Sequence, residues 1–590
     1  MGSEMCIRDR LYTSAGWRRN VVAIDGATGE TLWMYRLDEG ERGDVAPVRA
    51  SSGRGVSYWT DGEGDDRVIH VTKGYHLVAL DAATGYPIPG FGDEGVVDLY
   101  QGINDGLDRP PVEDGQIGLN SPALVVGDVI VVGAALRATA PSPDFPAGFV
   151  RGFDVRTGEQ LWIFHTIPQP GEFGNDTWEN DSWRYSGNTG VWAPMSADPE
   201  LGYVYLPTGT PSNDWYGGMR PGDNLFAESI VAVDVETGER VWHFQAIHHG
   251  LWDWDFPTGP NLLDITVDGR PIKAIAQVSK QGFTYVFDRI TGEPVWPIEE
   301  RPVPQGNVPG EWYSPTQPFP TKPPPFDRQG FAIEDVIDFT PELHAEALRI
   351  INSRARFGPI FSPPVVRGAE VPFIQVPGAG GGANWQGAAV DVETGQLFVS
   401  SSSTLIVVEV VPYDPPATVG YFTDPWGVGL SGPQGLSLFK PPYKRVTAMD
   451  LNTGEQSWMA AHGDGPRYHP ALRDLDLPPL GGGGGISSGP LVTPTLLIMN
   501  HGGRGFASAP DAAPGEASGD PTADAALLMA ASTRTISAYD KETGEHLGSV
   551  PLPATPGGNP MTYLHEGKQY LVVAVGRGGA DAELIALALP

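Results

Sequence analysis

Along this chain, short runs in which apolar residues alternate with small or polar ones keep ending in one polar phrase: Asp-x-x-Thr-Gly, usually followed by Glu-x-x-Trp. Full copies close at Trp33 (VVAIDGATGETLW), Trp162 (FVRGFDVRTGEQLW), Trp242 (SIVAVDVETGERVW), Trp296 (FTYVFDRITGEPVW) and Trp458 (VTAMDLNTGEQSW). Weaker copies stand at Asp81, Asp391 and Asp540, the last with Gly548 in place of the Trp. A two-residue period rich in Val, Ile, Phe and Ala is that of a half-buried strand. Asp and Thr bond their own downstream backbone, and Gly accepts the positive φ of a tight reversal. Each copy therefore predicts a hairpin whose second strand carries a Trp.

A lone hairpin cannot bury a Trp, whereas a ring of sheets can, each Trp lying on the neighbouring sheet. The expected fold class is all-β: an eight-bladed β-propeller with tryptophan-docking repeats, its first blade incomplete because the first copy falls so near Met1. From Asp25 to Asp288 the intervals exceed the roughly 40 to 50 residues a bare four-stranded blade needs. The excess predicts loops, where function collects on rigid scaffolds.

Residues 1–10 (MGSEMCIRDR) lack both the apolar core of a signal peptide and the strand pattern, and are expected to be an artefactual or disordered start. Residues 11–590 form one propeller domain in this reading. It is interrupted over 299–380 by a Pro-rich excursion with one short helix: Thr340 as N-cap, Pro341 at the first helical position, and Leu343, Ala347, Leu348 and Ile351 on one face. A run of glycines at 481–485 and a small polar stretch from Ala507 to Ala525 read as loops.

Gly 77 and Pro 57 among 590 residues suit a loop-heavy β protein. A net charge of −34 argues against nucleic acid as a partner, since phosphates demand a basic surface. The one cysteine, Cys6, excludes a disulfide framework, a Cys-rich zinc site and a CxxCH haem attachment. No run of about twenty apolar residues is present, so no transmembrane segment is expected.

The densest chemistry lies in HHGLWDWDFP, His248 to Pro257, where Asp253 and Asp255 alternate with Trp252 and Trp254. Carboxylates beside large aromatics suit general-base work, because partial desolvation raises their pKa. The competing reading is two solvated turn aspartates beside docking tryptophans, and spacing alone leans slightly toward it. Lys280 precedes a strand, where a lysine is ordinarily a solvated cap. Asn384 and Trp385 follow the flexible run GAGGGA, where backbone can approach a flat ligand or simply turn. Arg54, flanked by glycines, reads as an ordinary exposed loop arginine.

Taken together, the repeat and the strings WAPMSADPELGYVYLPTG, RPGDNLFAESIVAVD, HHGLWDWDFP, VPQG, SPTQPF, GANW and NPMTYLHEGKQYLVVAVG resemble the pyrroloquinoline quinone (PQQ)-dependent dehydrogenases, most of all the membrane-bound glucose and quinate dehydrogenase branch. The resemblance covers nearly the whole chain. It implies PQQ and Ca²⁺ near a propeller axis, with hydride passing from substrate to the quinone C5. Asp253 matches the general base and Lys280 the lysine that contacts the quinone. Trp192 matches the stacking platform, and Arg54, Asn384 and Trp385 match cofactor-binding positions.

The resemblance also implies a small sugar, cyclic polyol or secondary alcohol as substrate, an external electron acceptor (a quinone or cytochrome) and a periplasmic location. Asp253, Thr210 and Ser212 fall at metal-ligand positions. The chain departs from the pattern in lacking an adjacent Cys pair. It also carries Ala50 where glucose-type relatives have His, and it reads VVGAALRATA, with Arg137 and no carboxylate before Asp144, where relatives place acidic metal ligands. The alternatives are a non-catalytic propeller serving as a scaffold and a degenerate relative that does not bind PQQ.

Overall fold

The computed structural model describes residues 5–7, 9–45, 53–137, 146–413, 420–423, 429–482, 489–501, 534–577 and 580–589. The chain folds into consecutive antiparallel sheets, nearly all of them local in sequence. The first sheet orders Met5–Ile7, Arg10–Ala15, Asn20–Asp25 and Thr31–Tyr35. It has four strands, and its outer strand comes from the stretch expected to lack structure: Cys6 pairs with Leu11. Four-stranded sheets follow around the motifs of Asp81, Asp154 and Asp234, then a three-stranded one ending at Asp288.

The later copies do not map one to a sheet. Ala388–Asp391 and Lys444–Asp450 belong to the same four-stranded sheet, separated by Gln396–Ser402. A four-stranded sheet carrying Asp540 follows, and the last sheet, Pro556–His565, Lys568–Arg577 and Ala580–Ala588, has no copy of the phrase.

The phrase itself is explained by what it touches. Asp154 Oδ1 accepts from Arg156 N at 2.9 Å, Thr157 N at 2.7 Å and Thr157 Oγ1 at 2.9 Å, and Glu159 N donates to Thr157 Oγ1 at 3.2 Å. The same bonds recur at Asp25, Asp234 and Asp540. Each Trp then crosses to the next sheet. Trp33 Nε1 donates to Ala82 O at 3.2 Å, Trp162 to Val235 O at 2.8 Å, Trp242 to Arg289 O at 3.1 Å and Trp458 to Lys541 O at 3.1 Å. In all four the acceptor is the residue after the motif Asp of the following sheet.

The same Trp ring covers that sheet's turn glycine. At Gly238 and Gly292 a Cβ would strike the rings of Trp162 and Trp242, and both glycines have positive φ, so the position is fixed twice over. On the last sheet Tyr563 does the equivalent work: its hydroxyl donates to Gly26 O at 2.7 Å, joining the end of the chain to its first sheet.

The cores lie between sheets. Ile69, Leu77, Val132, Phe149 and Phe153 fill one such seam. The Pro-rich excursion, expected to break the strand pattern, opens instead with a proline-bearing strand pair, Ile298–Pro302 with Thr316–Pro320. Its helix spans Pro341–Arg354, and Thr340 Oγ1 caps it by accepting from Leu343 N at 3.2 Å. Leu343, Ala347 and Ile351 are buried against Leu436, Leu438 and Phe439, with Leu348 at the edge. The stretch from Ala507 to Ala525 lies outside the described residues, as do Ala50, Asp144 and most of the glycine run.

Candidate active site

Segment 251–256 is not an extended strand; Asp253 has a left-handed φ of 54°. Its tryptophans are docking groups, as one reading expected. Trp252 Nε1 donates to Ser362 O at 2.9 Å and Trp254 Nε1 to Pro377 O at 3.2 Å, and both rings stand edge-on to Phe361. The excursion thus clamps the segment from outside. The aspartates between the tryptophans are not solvated turn residues, because both turn toward Lys280.

Lys280 Nζ lies 2.9 Å from Asp253 Oδ1 and 2.8 Å from Asp255 Oδ2, and it also donates to Asp253 O at 2.9 Å. Lys280 is 4% exposed, so it is no solvated cap. Burial alone would depress its pKa, but the two carboxylates overcome that and raise it above the ordinary lysine value. The loop expected to approach a ligand packs on this lysine: Gly382 N donates to Lys280 O at 2.9 Å, and a Cβ at Gly381 would collide with the Lys280 stem.

Trp192, 6% exposed, joins the two sides. Its Nε1 donates to Asp255 Oδ2 at 3.2 Å, and Lys280 Nζ sits 5.9 Å from its ring centroid. Across from these, the Arg54 guanidinium lies 5.4 Å from the Trp192 ring and 4.3 Å from that of Trp385, and donates to Ser121 Oγ at 2.9 Å. Arg54 is therefore half-buried between two aromatics and not a simple loop arginine. Trp385 packs on Trp192. Asn384 shows the turn role that was its alternative: Nδ2 donates to Gly380 O at 2.8 Å and Oδ1 accepts from Trp385 N at 2.8 Å, so it shapes the loop that presents Trp385.

Thr210 and Ser212 are fully buried on the same side. Thr210 N donates to Asp255 Oδ1 at 2.6 Å and Thr210 Oγ1 to Glu228 Oε1 at 2.9 Å. Ser212 O accepts from Arg220 Nε at 3.0 Å. Glu228, Asp214 and Arg220 escaped the sequence reading. Burial pushes the Glu228 carboxyl up to about 8, with Arg220 and Thr210 pulling down and Asp255 and Asp253 pushing further up. Burial, then Asp253 and Asp255, raise Asp214 well above the usual carboxylate range. The one available signal was a Glu placed directly before a mostly apolar strand, in FAESIVAVD. Such a residue ordinarily reads as a solvated strand entry.

Comparison with known proteins gives a consistent picture. The family model described as "PQQ: Glucose/ethanol/alcohol dehydrogenase, beta-propeller domain" matches residues 3–522 and 512–571. The chain is 30% identical over 610 residues to the glycerol dehydrogenase large subunit of Gluconobacter oxydans (strain 621H), covering 97% of this chain and 75% of that protein. It is 28% identical over 632 residues to the quinoprotein glucose dehydrogenase of Escherichia coli (strain K12), covering 99% and 72%. The crystal structure of quinohemoprotein alcohol dehydrogenase from Comamonas testosteroni superposes with a TM-score of 0.64 at 22% identity, over 98% of this chain and 70% of that one.

Proposed function

Since the chain belongs to the PQQ glucose/ethanol/alcohol dehydrogenase β-propeller family, we propose that it is an eight-bladed ring that binds PQQ at its axis and oxidises a sugar, a cyclic polyol or a secondary alcohol. The succession of sheets and the bond from Tyr563 to Gly26 support the blade count. The axial residues suit a flat polyanionic quinone. Trp192 offers a ring with a guanidinium and an ammonium within 6 Å of its centroid, and Trp385 walls the same space. Arg54, Trp192, Lys280, Asn384 and Trp385 would hold the group, Asn384 through the loop it shapes.

When bound, the quinone supplies a two-electron acceptor for hydride from the substrate carbon. Asp253 takes the hydroxyl proton of the substrate. Its carboxylate is oriented for this by the Lys280 ammonium at Oδ1. Lys280, kept charged by its two aspartates, fixes a positive charge where negative charge collects. Trp192 and Trp385 exclude water, which strengthens these interactions. A Ca²⁺ ion would find oxygen donors at Asp253, Thr210 and Ser212. Electrons would leave to an external quinone or cytochrome, and the place of work would be the periplasm. No helix among the described residues is long and apolar enough to cross a membrane.

The observation that carries this reading is one buried ammonium bound by two carboxylates against the Trp192 ring. A ring acting only as a scaffold has no use for that arrangement, whose charges are costly to bury. The test is dye reduction by purified protein with PQQ and Ca²⁺ over a panel of polyols, sugars and alcohols. Turnover that falls by about 10²- to 10⁴-fold in Asp253→Asn supports the reading. Absence of PQQ binding by the parent protein sinks it in favour of a degenerate relative.

A further inference from the structure

The Pro-rich excursion sends one carboxylate back into the ring. Asp327 is buried and paired with Arg445, also buried, on the strand Lys444–Asp450. Asp327 Oδ1 accepts from Arg445 Nη2, from Ser403 Oγ and, at 2.7 Å, from Arg328 N. Arg445 is fixed in turn, since its Nε donates to Ser401 Oγ at 2.9 Å and its Nη1 to Pro442 O at 3.3 Å. A sealed ion pair seldom stabilises a fold more than apolar residues of the same volume, and its best-attested use is to fix register.

The parts brought into register here are two loops that wall the axial site. Phe326 N donates to Gly282 O at 2.9 Å and Gln329 Nε2 to Gln281 O at 2.8 Å, so the excursion holds the turn that carries Lys280 by two consecutive carbonyls. On the other side lies Gly382, which donates to Lys280 O and accepts from Ser402 N at 3.1 Å, two residues before Asn384. Asp327 fills the gap between the two glycines: a Cβ added at Gly282 or at Gly382 would stand 3.0 Å from the Asp327 Cβ. Its Oδ2 has no hydrogen-bond partner among the described residues and lies against Gly382. Only glycine lets both backbones close on one side chain.

We infer that Asp327, locked by Arg445, is a positioning residue for the axial site: it sets the spacing between the Lys280 turn and the loop that presents Trp385. The turn joins Arg270–Val278 to Thr284–Asp288, and the loop leads into Ala388–Asp391 of a different sheet. A ligand spanning Lys280 and Trp385 therefore feels any slip between those sheets, and a misplacement of about 1 Å can cost about 10²-fold in rate. This role rests on the PQQ reading proposed above, but its first test needs no ligand.

Hydrogen–deuterium exchange is followed on the purified full chain, and PQQ binding is read by quenching of tryptophan fluorescence. In Asp327→Ala, peptides over 279–283 and 381–385 exchange several-fold faster than in the parent, while those over the repeat turn at Asp154 are unchanged. PQQ binds about 10- to 100-fold more weakly, the scale that outer partners cost at metal sites. Asp327→Asn, which keeps an acceptor for Arg445 and Ser403, recovers most of both readouts. Leu343→Ala, in the helix of the same excursion, lowers the melting temperature yet leaves the PQQ affinity of the folded protein at the parent value, which separates positioning from loss of stability. If Asp327→Ala does not fold, Gln329→Ala decides the matter: it buries no unpaired charge, releases the Gln281 carbonyl, and speeds exchange over both segments while weakening PQQ binding.

Unchanged exchange over either segment, or PQQ bound by the folded variant as tightly as by the parent, overturns the inference. A parent that binds no PQQ removes the dehydrogenase reading, and the exchange experiment then decides alone whether Asp327 couples the two loops.

Discussion

The aspartates of the repeat turns and the carboxylates at the axis are chemically alike and behave in opposite ways. Asp25 and Asp540 are exposed and are held below the usual carboxylate range by the backbone and hydroxyl donors of Thr28 and Thr543. Asp214 and Glu228 are buried, and burial together with like charge drives them up. A turn aspartate stabilises the fold by being charged, because donors surround its charge. An axial carboxylate destabilises the fold when charged unless a cation meets it. The repeat turns are complete in themselves, whereas the buried carboxylates around Lys280 carry charge that burial makes costly.

The sharpest way to break this contrast is Lys280→Ala. It strips Asp253 and Asp255 of their shared cation and should cost about 3–5 kcal/mol of stability, read from denaturant unfolding, with dye reduction lost as well. A loss under about 1 kcal/mol would mean that the axial charges are not desolvated as described.

The pH dependence of stability in metal-free protein comes next. Unfolded, Glu228 loses its proton near the ordinary 4.5, and folded near 8, so the folded state holds more protons between these values. Stability must therefore fall as pH rises through that window, by an amount on the order of a few kcal/mol, and Glu228→Gln should flatten the slope. The rim runs the other way. Asp154, raised by burial but lowered further by the Thr157 bonds, contributes stability that is present above its ordinary 3.8 and lost as pH falls through its lowered folded value. A Glu228→Gln curve parallel to the parent between pH 4.5 and 8 would contradict the axial half of the comparison.

The smallest effect expected is at the rim. Thr157→Val removes the hydroxyl that bonds Asp154 and receives Glu159 N. It should cost about 1 kcal/mol and leave dye reduction unchanged.

Much of this was legible from local signals. The Asp-x-x-Thr-Gly turn, its strands and the Thr340–Pro341 helix start depend on residues a few positions apart, and the expected hairpins and cap are present. The Trp partners required a neighbour, yet docking on the next sheet followed from the fact that a hairpin cannot cover an indole. Blade assignment was harder, because Asp391 and Asp450 carry the same phrase but lie on opposite sides of one sheet's middle strand. Pairing across an insertion of that length leaves no local mark.

At the site, Asp253, Lys280, Trp192 and Arg54 were found through whole-chain resemblance, and spacing by itself had pointed to solvated aspartates and a capping lysine. Glu228 left only the signal of a strand-entry glutamate and Asp214 left none, because what makes them unusual is the closure of distant segments over them, and burial is not written in spacing. The aspartate at 255 was visible as one of a pair, but its bond to Thr210 depends on a turn forty-five residues away in sequence.

The docking of each tryptophan on the following sheet also orders events during synthesis. When a Trp leaves the ribosome, neither the carbonyl its indole needs nor the glycine its ring covers has yet been made. Each of these sheets therefore waits, with an uncovered indole, for the turn of its successor, and consolidation trails elongation by about one repeat. The debt passes along the chain until Tyr563 settles it on Gly26, which has been waiting since the start. A nascent chain stalled anywhere between those two residues presents one sticky edge at each end, and a holdase would find its ligand there.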